Sequence, residues 1–548
     1  MKRILFFSIL FFPGLIFSQS KRKKIKMQLQ ANTAIVNHLM AHEQYLASDK
    51  LEGRRTGTNG ELLAMQYIEN QYREIGIEPK GNNGFLQEFD IDEGKNAAGS
   101  FFKVNNNYLS VPADFFPLAF SATDSVKALV SIDINEKDQP WCIDLANVVE
   151  DNVNNPHFDI ETYIKKMAVK IAEKHAKALL LYNSSNLTDN VLFNKNDQSP
   201  AAPIPVLYIT QKGFKKYFTD PSATNSIELN VSIHNQTRKA RNIIGFINNH
   251  APNTVILGAH YDHLGYGEDK NALDTVHAVH NGADDNASGT AALIELARLL
   301  KHSSPKNNNY LIINFSAEEL GLLGSKYWLN HPTMAITPNY MVNMDMVGRY
   351  DSAKKLIIGG YGTSATWGEI VTTIHSNLLV KFDSTGSGPS DHEAFYRKDI
   401  PVLFFFTGTH PDYHKVTDDW DKINYNGERE IIQFIYQLIA AADAKGKLTF
   451  AKTSEPATGR GVTFSVSLGV IPDYAFAGTG VRIDGVAEGK LAQKIGLQSG
   501  DILLQLGNYK FVDLMSYMQT LSKFKKGDKT QLLIKRATKE IVFDIEFQ

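Results

Sequence analysis

Imidazole and carboxylate side chains recur in this sequence at the ends of short apolar runs. TVILGA leads into His260, Asp262 and His263, and YLIINFSA into Glu318 and Glu319. YMVNM ends at Asp345, and VLFFFTGTHPDY leads into His414. Asp284 and Asp285 sit between the first two blocks, just before an amphipathic stretch. If the apolar runs are parallel strands, residues far apart in the chain meet at one sheet edge, where α/β proteins place their chemistry. His260, Asp284, Glu319, Asp345 and His414 are then five donors of the kind zinc accepts. That supply suits two metal ions sharing a bridging carboxylate, an arrangement that polarises a carbonyl and lowers the pKa of a bound water. Glu318, beside Glu319 but directed elsewhere, is placed to act as general base. Asp262 is placed to accept the second imidazole N–H of His260, the support that metal-bound histidines need.

The plainer readings are weaker. A lone acid before a helix is usually a cap, and Asp284 to Ser288 could serve the helix that follows. An apolar strand running into Ala317-Glu318-Glu319 is not a capping device, and the blocks must be weighed jointly. His263, His277, His280, His392 and His410 read as supporting or loop residues. His157, His175 and His234 are scattered and structural. HExxH is absent, since His42-Glu43 and His392-Glu393 both lack the second histidine. GxSxG, a P-loop and a dinucleotide glycine fingerprint are absent as well.

The elements that must position these residues lie mainly between 236 and 447. Ile243–Ile247, Val255–Leu257, Tyr310–Phe315, Tyr340–Met346, Leu356–Ile358 and Val402–Phe406 read as buried strands, with helices between most of them. Ala287–Leu300 places Leu293, Leu296, Ala297 and Leu300 on one helical face, and Ile431–Ala442 repeats the pattern. The expected fold is α/β, a mostly parallel mixed sheet with helices on both faces. Residues 28–95 form its leading part, helical around SDKLEGRRTGTNGE. Arg54 and Arg55 there either reach a site elsewhere or stand exposed in a glycine-shaped loop. Arg349 either engages a substrate carboxylate or braces the sheet. Residues 96–235 read as a small β-rich insert with one helix over Ile160–His175. Residues 448–458 read as a linker, and 459–548 as a separate β-rich unit with helices over Lys490–Ile495 and Val512–Leu521.

Composition narrows the partners. The chain has 548 residues, more than the roughly 250–300 at which single cores stop growing. Its 57 basic and 59 acidic residues nearly cancel, which gives no reason to invoke nucleic acid. Lys2 and Arg3 precede an apolar run over Ile4–Phe17, shorter than the roughly 20 residues a membrane span needs. Residues 1–18 therefore read as a secretory signal with no anchor after cleavage, and the protein as secreted or periplasmic. With one cysteine, Cys142, any metal must be held by His, Asp and Glu.

GAHYDH, NGADDNASG, SAEELGLLGS, NMDMVGR and DYHKVTDDWDKINY resemble the metal-binding blocks of the co-catalytic di-zinc exopeptidases, a family of secreted aminopeptidases and glutamate carboxypeptidases. The resemblance implies that His260 and Asp345 hold one Zn2+ and Glu319 and His414 a second. Asp284 would bridge them, with a cis peptide between Asp284 and Asp285. It implies Glu318 as general base, Asp262 as the histidine's partner, and Tyr413 as a residue steadying the tetrahedral intermediate. The implied activity is removal of N-terminal residues from peptides by metal-bound hydroxide. A carboxypeptidase or glutaminyl cyclase-like use of the same site is the alternative, and a non-catalytic binding protein a further one. The insert is similar in position to a protease-associated domain. The last unit, with GVRIDGVAEGKLAQKIGLQSGDILLQLG, resembles a PDZ domain, which implies an extended-peptide ligand.

Overall fold

The computed structural model describes residues 14–453 except 154, 156, 157, 196, 198, 221, 270, 304 and 354, and then 466–472, 479–486, 489–511, 514–537 and 539–547. Most of the leader, His157 and part of the proposed linker lie outside the described residues. Among those described, no helix is long and apolar enough to cross a membrane.

The chain divides into two units, residues 1–89 with 239–548 and residues 90–238. In the first, the leading helices α1 (Gly14–Leu46) and α2 (Asn59–Ile75) precede β1 (Glu78–Pro79) and β2 (Leu86–Asn96). The core then runs β3 (His234–Ile247), β4 (Asn253–His260), α3 (Gly289–Lys301), β5 (Asn308–Phe315), α4 (Leu323–Asn330) and β6 (Pro338–Met344). It ends with β7 (Leu356–Gly359), β8 (Val380–Phe382), α5 (His392–Tyr396), β9 (Val402–Phe406) and α6 (Tyr425–Asp443). The strands form one mixed sheet in the order β1-β3-β5-β4-β6-β9-β7-β8, with β2 on β3. Its centre, β5-β4-β6-β9, is parallel.

These strands are buried on both faces, which is why they read as continuous apolar runs. Ile243, Val255 and Leu257 join one core with Leu293, Leu296 and Ile435 of α3 and α6. Ile244, Ile256 and Leu311 alternate to the opposite core, with Trp328 of α4 and Phe395 of α5. From β4 the chain passes through α3 to β5 on one side, and later returns as β6 on the other. The carboxyl ends of β4 and β6 therefore flank a topological switch point, where a crevice opens.

Arg54 does not stand in solvent. It is 1% exposed, and its guanidinium donates to the carbonyls of Leu46, Tyr261, Asn281 and Gly282 at 2.6–2.9 Å. Burial draws it down to about 10, against the opposing pull of Asp285, Asp262 and Asp418. Arg55 forms a bidentate pair with Asp269 at 2.7 and 2.8 Å. The segment thus ties the loops after β4 to the leading helices. The core also runs past 447. Leu448 is buried, its N–H donates to Asn339 at 2.8 Å, and Thr453 meets the Tyr396 hydroxyl. Residues 448–453 therefore pack on the core rather than serving as linker.

The second unit contains two four-stranded sheets. One is antiparallel around Asn225–Val231. The other places Trp141–Asp144, Leu179–Tyr182 and Val206–Ile209 in parallel, and the helix Ile160–Glu173 packs its Ile164, Ala168 and Ile171 with Leu179 and Leu181. That helix lies where the sequence places one, and two short helices, Ala146–Asn152 and Gln211–Tyr217, accompany it. The last segment carries a sheet from Val470–Pro472 to Lys539–Glu546 with helices Leu491–Lys494 and Leu514–Leu521.

Removing the Arg54 guanidinium strands several buried carbonyls, each costing about 1–3 kcal/mol. Arg54→Leu is therefore expected to destabilise the core by at least about 3 kcal/mol. A urea midpoint unchanged from wild type would show that water replaces those bonds.

Candidate metal centre

His260 closes β4. Its Nε2 lies 3.4 Å from Asp285 Oδ1 and 3.4 Å from Asp345 Oδ1. His414, in the loop after β9, places Nε2 3.1 Å from Asp285 Oδ2 and 3.3 Å from Glu319 Oε2. The two oxygens of Asp285 thus face two different imidazoles, each with a carboxylate of its own. Each donor set offers one nitrogen, one private carboxylate and one shared carboxylate. Three protein ligands and an open position is the pattern of a catalytic zinc site, so the residues fit two such ions.

Here the sequence reading needs correcting by one residue. Asp284 does not face this cluster. Its Oδ1 accepts from Gly348 N–H at 2.7 Å and Ser288 Oγ at 3.1 Å, and its Oδ2 lies 3.2 Å from His410 Nε2. Those partners occupy the carboxylate on the far side of the loop. The cis peptide shifts with it, joining Asp285 to Asn286 rather than Asp284 to Asp285. Both backbone N–H groups, of Asp284 and Asp285, donate to Asp418 Oδ2 at 3.0 and 3.1 Å. Asn286 ties the two strand ends together. It donates to the carbonyls of His260 and Met344 and accepts from the N–H groups of Gly289 and Met346. A Cβ at Gly289 would stand 2.3 Å from Asn286 Oδ1 and 2.4 Å from the Met344 carbonyl. Glycine is the residue that allows this approach.

The remaining donors are held in place by neighbours. His414 Nδ1 lies 2.8 Å from the carbonyl of Asn271, which fixes a proton there and leaves Nε2 as the nitrogen that would bind metal once its own proton is displaced. Ser390 donates to Asp345 Oδ2 at 2.7 Å. His263 places Nδ1 2.9 Å from Glu319 Oε1 and lies within ligating range of Asp285 and Glu319. It is buried away from the cleft that His414 lines, and burial holds it below its usual range. It therefore supports Glu319 as a neutral donor. His280 pairs with Asp274, and His392 stacks on Phe404. Asp262 is placed somewhat differently from expectation. His260 Nδ1 is 3.2 Å from its backbone carbonyl and 3.7 Å from its Oδ1. Its carboxylate accepts from Glu318 N–H at 3.1 Å and Thr56 Oγ1 at 3.0 Å.

Glu318 lines the same cleft, of about 500 Å³ to its open mouth, with Met346, Phe404, Phe406 and Tyr413 as its apolar wall. The Tyr413 ring stacks on His414 with centroids 4.0 Å apart. Arg349 braces its loop through Asp412, at 3.1 Å, and is not among the cleft's lining residues. The signals for Arg54 and Thr56 were the residues themselves in a glycine-rich loop, with nothing in their spacing to give a target.

Charge is strongly coupled here. Burial opposes every charged form, yet the carboxylates of Asp345 and Glu318 hold His260 well above its usual range, and Glu319 and Asp285 do the same for His414. Conversely, the imidazoles overcome burial to hold Asp285 well below its usual range and Glu319 at about 2. Glu318 is raised, by burial and then by Asp345, Asp391 and Glu319, against the pull of His260.

With the fold and site defined as a two-sided acid and imidazole centre on an α/β sheet, comparison adds a relationship. Residues 242–439 match the family model of Peptidase family M28. The chain is 30% identical over 299 residues to the aminopeptidase YwaD of Bacillus subtilis, covering 51% of this chain and 59% of that protein. It is 25% identical over 255 residues to a probable leucine aminopeptidase 2 of Aspergillus oryzae, covering 44% and 48%. The chain thus spans roughly half the length of these two relatives. Among solved structures, a zinc aminopeptidase from Bacillus subtilis aligns over 74% of this chain and 95% of that one, at 20% identity and a TM-score of 0.41.

Two outcomes test the centre. Asp285→Asn is expected to lose bound zinc, whereas Asp284→Asn keeps it, as read by metal analysis of purified protein. The reverse result would restore Asp284 as the bridge. Because metal must displace protons from imidazoles held above their usual range, zinc uptake is expected to tighten as pH rises from 5 to 7 and to release protons. Calorimetry in buffers of different ionisation enthalpy reads that release, and its absence would refute the charge balance.

Proposed function

We propose that this chain is a two-zinc exopeptidase that removes N-terminal residues from peptides. The observation that carries the reading is the division of the Asp285 carboxylate between His260 with Asp345 and His414 with Glu319. Two zinc ions bound there would lower the pKa of an attacking water and polarise the scissile carbonyl. The protein's own residues do the rest. Glu318, in the cleft and ionised beside two cations, takes the proton of the attacking water and delivers it to the leaving amine. Asp262 holds the Glu318 backbone and backs His260. Tyr413, on the cleft wall, would donate to the oxygen on which charge develops.

Aminopeptidase action is favoured over carboxypeptidase action by the cleft itself. Among the described residues that line it, no lysine or arginine is present to meet a C-terminal carboxylate, and Arg349 is engaged by Asp412. The intact donor set argues against a purely binding role. Secretion through the apolar leader, a protease-associated role for the insert and peptide binding by the PDZ-like last unit belong to the same proposal. They rest on sequence patterns.

The zinc-loaded protein is expected to release N-terminal residues from aminoacyl reporters. Glu318→Gln is expected to lower kcat by about 10²–10⁴-fold with zinc retained. Full activity in that variant would overturn the mechanism.

A further inference from the structure

The leading segment reaches the chemistry through one hydroxyl. Thr56 is 2% exposed, and its Oγ1 donates to Asp262 Oδ2 at 3.0 Å. The other oxygen, Oδ1, accepts the Glu318 backbone N–H at 3.1 Å and lies 3.7 Å from His260 Nδ1. A carboxylate rotates easily about its last torsion. One whose far oxygen is anchored does not. Thr56 is itself well fixed. The residue before it pairs bidentately with Asp269, and the one before that donates to four carbonyls. Its branched Cβ further limits its rotamers.

The turn that carries Glu318 is gripped from two sides. Ser316 Oγ donates to Glu61 of α2, and Ser316 N–H donates to Asn242 Oδ1 at 3.1 Å. Asp262 holds the Glu318 end. Ala317 between them has φ +57°, a left-handed conformation that an alanine adopts only under such constraint.

We propose that Thr56 is a positioning residue. By anchoring one oxygen of Asp262, it sets the backbone of the general base Glu318 and fixes the negative charge that faces His260 Nδ1 at 3.7 Å. The inference rests on the two-metal reading of the site. Direct support of a metal ligand, as Asp262 gives His260, is worth about 10–100-fold in metal affinity or activity, and Thr56, one contact further out, is expected at the low end of that range.

The test compares wild type, Thr56→Val and Thr56→Ser in the full chain, loaded with cobalt as a spectroscopic probe. Thr56→Val keeps the shape and removes the donor. It is expected to bind cobalt about tenfold more weakly, to shift the visible absorption of the bound ion, and to lower kcat about tenfold with KM little changed. Its unfolding temperature falls modestly, because Asp262 Oδ2 loses a buried partner, while the protein stays folded, and Thr56→Ser restores affinity, spectrum and kcat. Combined with Asp262→Asn, the Thr56→Val substitution adds no further loss, because both remove one interaction. Wild-type cobalt affinity and spectrum in Thr56→Val would overturn the inference, as would equal losses in the valine and serine variants or a fully additive double variant. A wild-type protein that binds cobalt but cleaves no aminoacyl reporter would overturn the aminopeptidase reading, and the cobalt titration would then decide the role of Thr56 by itself.

Discussion

One carboxylate answers to two imidazoles. The oxygens of Asp285 point in different directions, toward His260 and toward His414. Asp345 and Glu319 stand behind those imidazoles, one on each side. Several buried anions at one sheet edge repel one another in a medium of low effective dielectric. Positive charge between them is therefore required, from protonated histidines or from metal. The strand order that brings β4, β5, β6 and β9 side by side creates this requirement. It does so by delivering the end of each strand to the same crevice.

Holding loops at that edge raises a second problem. Loops are seldom buried, because their backbone polar groups then lack partners. Here the partners are side chains. Arg54 takes four carbonyls, Asn286 two carbonyls and two N–H groups, and Asp418 two N–H groups. Each serves backbone that moves if the side chain is lost. The donors are thus rigid for a reason apart from the metal they suit. The buried polar residues around the cleft make a framework for the loops, and the ligating residues hang on it.

Much of this was legible in the sequence because it depends on periodicity. Strands buried on both faces leave continuous apolar runs, and His260, Glu318, Glu319, Asp345 and His414 were visible at their ends. The choice between Asp284 and Asp285 was not. Two adjacent acids have the same composition and differ only in direction, which depends on the backbone from Gly282, at φ +54°, to Asn286. Arg54 was read as an open choice for a related reason. Nothing local marks an arginine three of whose four carbonyl partners lie more than two hundred residues away. The insert was read as β-rich because its short parallel strands look like any other apolar run. Its helices are what distinguish them.

The distances in chain order have a consequence for the newly made protein. The clamp around Arg54 and Thr56 is synthesised early. Apart from Leu46, the residues it grips come only after the whole 90–238 unit, and His414 later still. Non-local contacts of this kind form slowly, because loop closure must precede them. A nascent chain therefore carries His260 before Asp345 and His414 have been made. The donors meet only when the sheet has closed, so the chain cannot assemble the two-sided acid and imidazole centre before it has folded. That order makes completion of the donor set a consequence of folding itself, written into topology.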